Sequence, residues 1–294
     1  MENKQTKITN VAILLLNFNL PEMTDKLAEQ IERNIKFPHK LFLLDNGSEV
    51  SKRAKHATHI LEKNIGMNGG VQYLWDLVKD DKSFDGYWFL CNDIILDEGR
   101  DYLNEMSVLF EKLSQKYNVG SVTTSYHFEG KEQAVPVFMK KRVGGTFRPI
   151  VWIEWNAILY SREFMQKFFP QGFGLKTKHA FQDVVSNYVG WKNGYGSFVM
   201  DSLPILHLEN QTFLKHGGKM INGVFVPDYK GLENMLVSDM DVVVKDFNSK
   251  GIDLLTERKH LHKDIDQKGN FEKYLVNGPY KQSLFEKLLI KLKI

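Results

Sequence analysis

A single cysteine, Cys91, stands in the whole 294-residue chain. That rules out an internal disulfide framework and any zinc site built from several cysteines, and it points to a reducing, cytoplasmic setting. Long hydrophobic runs are missing as well. The first ten residues are polar, and the apolar run that follows, Val11 to Leu16, is too short for the core of a secretory signal or for a membrane span. Neither sign of charge dominates. With 39 basic and 36 acidic residues the formal net charge is +3, too nearly balanced to mark a nucleic-acid binder, though it suits one local pocket for an anionic small ligand. There is no G-x-G-x-x-G, Walker loop or G-x-S-x-G, which argues against dehydrogenase, P-loop NTPase and nucleophile-elbow hydrolase readings. The missing C-x-x-C pair excludes a zinc deaminase. No repeat and no low-complexity linker interrupts the chain.

What is present is ordinary globular composition, 43% hydrophobic and 26% charged. Val11–Leu16, Lys40–Leu44, His59–Leu61 and Gly86–Leu90 are short runs without polar alternation, as in strands buried on both faces. Between them, Leu27, Ala28, Ile31 and Ile35 share one face of a helix entered near Pro21. Val71, Leu74, Trp75 and Val78 do the same just after Gly69 and Gly70. Strand alternating with helix predicts an α/β unit with a largely parallel sheet over residues 1–125. Residues 126–215 form a more aromatic second half, with a strand-like stretch before Ser161, a helix after it, and a loop feeding a helix that ends near Gly190. Residues 216–294 read as a charged, mainly helical extension. Its last stretch sets Leu284, Leu288 and Leu292 near one face among Lys287, Lys291 and Lys293. Such a helix suits either an anionic membrane surface or packing on its own domain.

Parallel sheets bind ligands beyond the carboxyl ends of their strands, and each of the four apolar runs is followed by a polar cluster. These are Asn17 to Asn19, Asp45 to Ser48, Asn64 to Gly70, and Cys91 to Asp93. The last is the most demanding. Asp93 sits beside Asn92 between Leu90 and Ile94, and an ionised carboxylate among apolar neighbours needs a partner or a metal. Glycine at 66, 69 and 70 permits close backbone approach just before a helix N-terminus that favours phosphate, although such loops also occur without ligands. Asp45-Asn46-Gly47 alone would signal a hairpin, but the continuous apolar strand before it argues for a ligand loop. Trp152, Trp155 and Trp191 are candidates for stacking on sugar rings or for the core, and His207 for a ligand or a core histidine. Cys91 has no neighbour that would lower its pKa and reads as inert packing.

Taken in order, "VAILLLNFN", "LFLLDNGS", "NIGMNGGVQ", "FLCNDIIL", "FQDVVSNYVGWKNGYG" and "LHLENQTF" resemble the family-2 glycosyltransferases. These are mainly inverting, nucleotide-sugar-dependent enzymes of the GT-A fold. The resemblance spans residues ~9 to 213. It implies a Rossmann-like, mostly parallel central sheet flanked by helices, with the helical extension beyond it. Asp45 matches the acid that reads the nucleotide base, and Asn17, Asn19, Asn46, Asn64, Gly66, Gly69, Gly70 and Asn92 fall in the donor-binding segments. Asp93 resembles the last acid of the D-x-D metal motif and His207 a downstream histidine that completes a Mn²⁺ or Mg²⁺ site. Asp183 looks like the catalytic base, with Trp155, Gln182 and Trp191 beside the acceptor. Two positions depart from the pattern: Cys91 replaces the first D-x-D residue, and Gln182 replaces the Glu before the base. The implied activity is inverting transfer of a sugar from a UDP-linked donor to a hydroxyl of a glycan or lipid-linked acceptor, as in polysaccharide biosynthesis, at or near the inner face of a membrane. The alternatives left open are the same fold acting on a modified nucleic-acid base, and a sugar- or nucleotide-binding module without catalysis.

Overall fold

The computed structural model describes residues 6–128, 147–151, 156–175, 177, 182–208, 218–221, 224–227, 229–267 and 271–275. Its first half follows the hydrophobic pattern. Strand β1 (Val11–Asn17) pairs in parallel with β2 (His39–Asp45) and with β4 (Gly86–Leu90), and β2 pairs in parallel with β3 (His59–Ile60). Helix α1 (Pro21–Asn34) starts on proline, whose missing N–H is no loss in a first turn, and buries Leu27, Ala28 and Ile31. Helix α2 (Gly66–Val78) buries Val71, Leu74, Trp75 and Val78. It starts earlier than the glycines suggest, because Gly69 and Gly70 lie inside it. A Cβ on Gly70 would come within 2.5 Å of the Leu16 side chain, so this glycine lets α2 lie close on β1.

Beyond β4 the chain makes a two-residue strand β5 (Ile94–Ile95) and helix α3 (Tyr102–Ser114). There follow β6 (Asn118–Phe128), β7 (Phe147–Pro149), β8 (Ala157–Ser161), α4 (Arg162–Phe168), α5 (Gln182–Lys192) and β9 (Tyr195–His207). Among the described residues one nine-stranded sheet results, in the order β3-β2-β1-β4-β8-β6-β9-β5 with β7 also on β9. The sheet is mixed, where the sequence suggests mostly parallel. The reason is local: the Cys91 N–H donates to Asn156 O at 3.0 Å, so β8 begins beside the end of β4 and must run back along it. One sheet therefore continues through both predicted halves, flanked by helices.

Strand β9 carries an irregularity against β6. Thr124 pairs with Met200 but Ser125 pairs with Pro204, leaving three residues of β9 looped out. Asp201, in this bulge, is held by a buried ion pair with Arg148 at 2.8 Å.

The extension contributes a hairpin, β10 (Gly218–Ile221) with β11 (Val224–Pro227), then α6 (Tyr229–Ser249) and α7 (Leu254–His262). Phe271 and Tyr274 pack edge-on against Phe198 and Trp191, which joins the extension to the main core. Among the described residues no helix is long and apolar enough to cross a membrane. The terminal amphipathic stretch, 284–294, lies outside the described residues.

Candidate functional site

The polar clusters after β1, β2, β3 and β4 meet through side-chain hydrogen bonds. Asn17 and Asp45 end adjacent parallel strands in register. The Asn17 amide donates to Asp45 Oδ2 at 2.7 Å, and its oxygen accepts from the Thr24 hydroxyl at 2.8 Å. Thr24 in turn accepts from the Asn92 amide at 3.0 Å. The Asp45 carboxylate also accepts the N–H groups of Ser48 (2.9 Å) and Ala54 (3.3 Å). Every member of this ladder is buried and has a partner, as a buried polar network requires. Asp45 is itself 0% exposed. Its described contacts shape the loop after β2.

On the next step of the sheet, Asn46 donates to Gly66 O (3.0 Å) and Asn64 Oδ1 (3.2 Å) and accepts from the Ile65 N–H. The exposed Asn64 oxygen accepts from the Gly66 N–H at 2.7 Å. Gly66 has φ +79°, which a side chain would strain, and it opens α2. Asn19 is the non-glycine residue with positive φ among those described (56°); Glu49 N–H donates to its side-chain oxygen at 3.0 Å. Asparagine tolerates that conformation, and the result is a tight crest beside the cluster.

The partner that Asp93 needs is His207. Oδ1 and Nε2 stand 3.4 Å apart, with both side chains largely buried. Short strand β5 makes the meeting, pairing Ile94 with His207 and Ile95 with Leu206, and the Leu208 N–H donates to Asp93 O at 2.8 Å. The residues fit a divalent cation. Metal-to-ligand distances of about 2.1 Å put two ligands of one ion roughly 3 to 3.4 Å apart, and a carboxylate with an imidazole suits Mn²⁺ better than Mg²⁺. His207 Nδ1 meets the Asn156 side-chain amide at 3.3 Å. The amide presents its NH₂, so Nδ1 accepts and the neutral ring carries its proton on Nε2, directed at Asp93; holding a cation would require the amide turned so that its oxygen takes the proton on Nδ1. Among the described residues no group of three or more His, Cys, Asp or Glu side chains converges.

Asp183 lies in the first turn of α5, half-buried, its carbonyl accepting from Asn187 Nδ2 at 2.8 Å. The Tyr160 hydroxyl shares a hydrogen bond with Ser186. Burial pushes the Tyr160 phenol well above its ordinary range, the Ser186 bond draws it back, and the negative charge of Asp183 adds to the rise. Gln182, expected beside an acceptor, is 1% exposed, and its amide donates to Asn68 Oδ1. Asn68 in turn donates to the carbonyl and hydroxyl of Thr177 at 2.8 and 2.6 Å. Trp191 is wholly buried, its indole N–H donating to Ile150 O at 2.8 Å. It is a core residue that offers no face to an acceptor here. Trp152 and Trp155 lie outside the described residues.

Sequence reasoning passed over Thr24, Asn156 and Thr177, and it placed Ser48 and Asn68 in polar clusters without giving either a role. Thr24 did carry a signal, since it falls on the apolar face of α1 with Leu27, Ala28 and Ile31, where a polar residue needs a partner. Asn156 and Thr177 carried none, because their roles depend on contacts distant in sequence.

Fold and site together define an α/β protein with an open mixed sheet and a polar cluster at the carboxyl ends of its parallel strands. No protein-family model matches the chain, and no curated protein matches it either.

Proposed function

We propose that this chain is an inverting, metal-dependent glycosyltransferase, with its sheet in a GT-A arrangement, moving a sugar from a UDP-linked donor to a hydroxyl of a glycan or lipid-linked acceptor. The observation that carries the reading is the meeting of Asp93 with His207 at 3.4 Å. It joins a carboxylate that the sequence sets among apolar residues to the histidine singled out for it. The donor diphosphate would lie toward Gly66 and the N-terminus of α2, where backbone N–H groups favour negative charge. The base would lie against the loop that Asp45 holds.

Asp183 is the base in this reading. The acceptor oxygen attacks the anomeric carbon from the face opposite the diphosphate, and the carbon–oxygen bond to the diphosphate breaks with its electron pair. The proton of the acceptor hydroxyl passes to the Asp183 carboxylate. Asp93 and His207 would hold a divalent cation, which as a Lewis acid neutralises charge on the leaving diphosphate. A lipid-linked acceptor would be met at the inner face of a membrane, with residues 284–294 on the lipid.

The test is a thermal-shift screen of UDP-, GDP- and dTDP-sugars with and without Mn²⁺, followed by assay of nucleoside diphosphate release with acceptor. The expected result is Mn²⁺-dependent stabilisation by a UDP-sugar and release of UDP. No stabilisation by any nucleotide sugar overturns the reading, and stabilisation without release makes the chain a binding module.

A further inference from the structure

We infer that Asn68 is a positioning residue that couples the donor loop at the start of α2 to the helix that carries Asp183. The inference rests on the glycosyltransferase reading and deepens it.

Asn68 is the third residue of α2, two positions after the positive-φ Gly66. It is 8% exposed, and both sides of its amide are engaged: the NH₂ with Thr177, the oxygen with Gln182. Gln182 is the first residue of α5 and precedes Asp183. Its Nε2 is committed to Asn68, while its Oε1 is buried and has no hydrogen-bond partner among the described residues. Among the described residues, the Asn68 bond is what orients this side chain by hydrogen bonding. Following the contacts outward gives one connected path. Asn46 grips Asn64 and Gly66 at the mouth of α2, Asn68 grips Gln182 two residues further in, and Asp183 follows it in the chain.

A helix is stiff along its axis, so a ligand that settles the Gly66 end of α2 also settles Asn68, and through it the first turn of α5. Misplacing a reacting group by about 1 Å can cost on the order of 10²-fold in rate. A structural core amide predicts something different, namely lost stability with unchanged turnover per folded molecule. Gln182 thus acts through Asn68 rather than by touching an acceptor.

The experiment compares Asn68→Leu, Asn68→Asp, Gln182→Met and the Asn68→Leu/Gln182→Met double variant. All are assayed for UDP release with Mn²⁺, donor and acceptor, and for hydrogen exchange across residues 182–192. Each single apolar variant should lower kcat about 10²-fold with donor KM within about threefold of wild type. The double variant should be no slower than the worse single one, because the two residues act as one unit. Asn68→Asp, which keeps the oxygen that Gln182 donates to but gives up the donor to the Thr177 carbonyl, should recover part of the loss. In the ligand-free protein, Asn68→Leu should speed exchange in the first turn of α5 about tenfold, the equilibrium share of one hydrogen bond. Should Asn68→Leu fail to fold, Gln182→Met and Asn68→Asp carry the same comparison. Wild-type kcat in Asn68→Leu, losses that multiply in the double variant, a change confined to donor KM, or unaltered exchange in α5 each overturn the inference. Absence of UDP release from the wild-type chain overturns the glycosyltransferase reading alone, since the exchange measurement does not depend on turnover.

Discussion

Asp93 Oδ1 lies 3.4 Å from His207 Nε2 because a strand of only two residues, β5, is laid antiparallel against the end of β9. The two residues are brought together by strand pairing across the sheet, not by closeness in sequence. The pair depends on everything that holds β5 and β9 together.

If the pair binds a cation, Asp93→Ala and His207→Ala should each weaken Mn²⁺ binding by more than about tenfold, since even residues hydrogen-bonded to metal ligands typically contribute 10–100-fold. Calorimetric titration of Mn²⁺ in the presence of UDP measures this directly. Wild-type affinity in both variants would remove the metal from the site.

Tyr102 bridges the same strand pair from behind, its hydroxyl donating to Pro204 O at 2.7 Å and accepting from the Asp97 N–H at 3.1 Å. Burial pushes its phenol up to about 12. A raised folded pKa means that this stability is fully present below the unfolded value near 10 and is lost as pH rises through about 12. Denaturation curves from pH 9 to 12 should show that loss. Tyr102→Phe should be about 1 kcal/mol less stable at neutral pH and less sensitive to alkali over this window. A variant with the wild-type alkaline slope would assign the loss to other groups.

Replacing Asp45 removes the acceptor for Asn17, Ser48 and Ala54 donors in a site closed to water. Asp45→Ala should therefore lose on the order of 3 kcal/mol of stability and raise donor KM at least about tenfold with kcat little changed. Urea denaturation and steady-state kinetics check the two halves. Unchanged stability would mean that the ladder is not what holds the loop.

Asp183→Asn keeps the side-chain shape and removes the proton acceptor. Turnover should fall about 10²–10⁴-fold while the donor still stabilises the protein in a thermal-shift assay. Near wild-type kcat would take the base role away from Asp183. Product with retained anomeric configuration from the wild-type chain would exclude single displacement however essential the residue proves.

The first four strands were legible because each is a continuous apolar run ending in a polar cluster. The same physics made it legible that Asn17, Asp45, Asn64 and Asp93 lie at or just beyond the ends of these strands. The start of α2 was not, because Gly69 and Gly70 read as loop when counted by propensity. Gly70 is inside the helix for the sake of close packing on Leu16. Strand β8 gives no local sign of its direction, which is fixed by where the chain returns to β4. Trp191 and Gln182 show the opposite limit: both were placed near an acceptor by motif order, yet the structure buries the first in the core and ties the second to Asn68. Residue type and spacing do not say which way a side chain faces when its partner is a hundred residues away.

The looped-out residues in β9 have a further consequence, for the length of the chain rather than its chemistry. Side chains alternate between the two faces of a strand, so an odd number of extra residues reverses which members of the remaining strand face which way. Three residues stand between Met200 and Pro204 where regular pairing with β6 has none, and His207 lies beyond that reversal. Removing any one of them would leave every residue of the Asp93–His207 pair unchanged in identity. Where the loss is taken up by a one-residue slip of β9 against β6, the imidazole nonetheless turns to the other side of the sheet. The count of residues from 201 to 203 is thus a coordinate of the site in its own right, and a substitution scan that never alters length would not detect it.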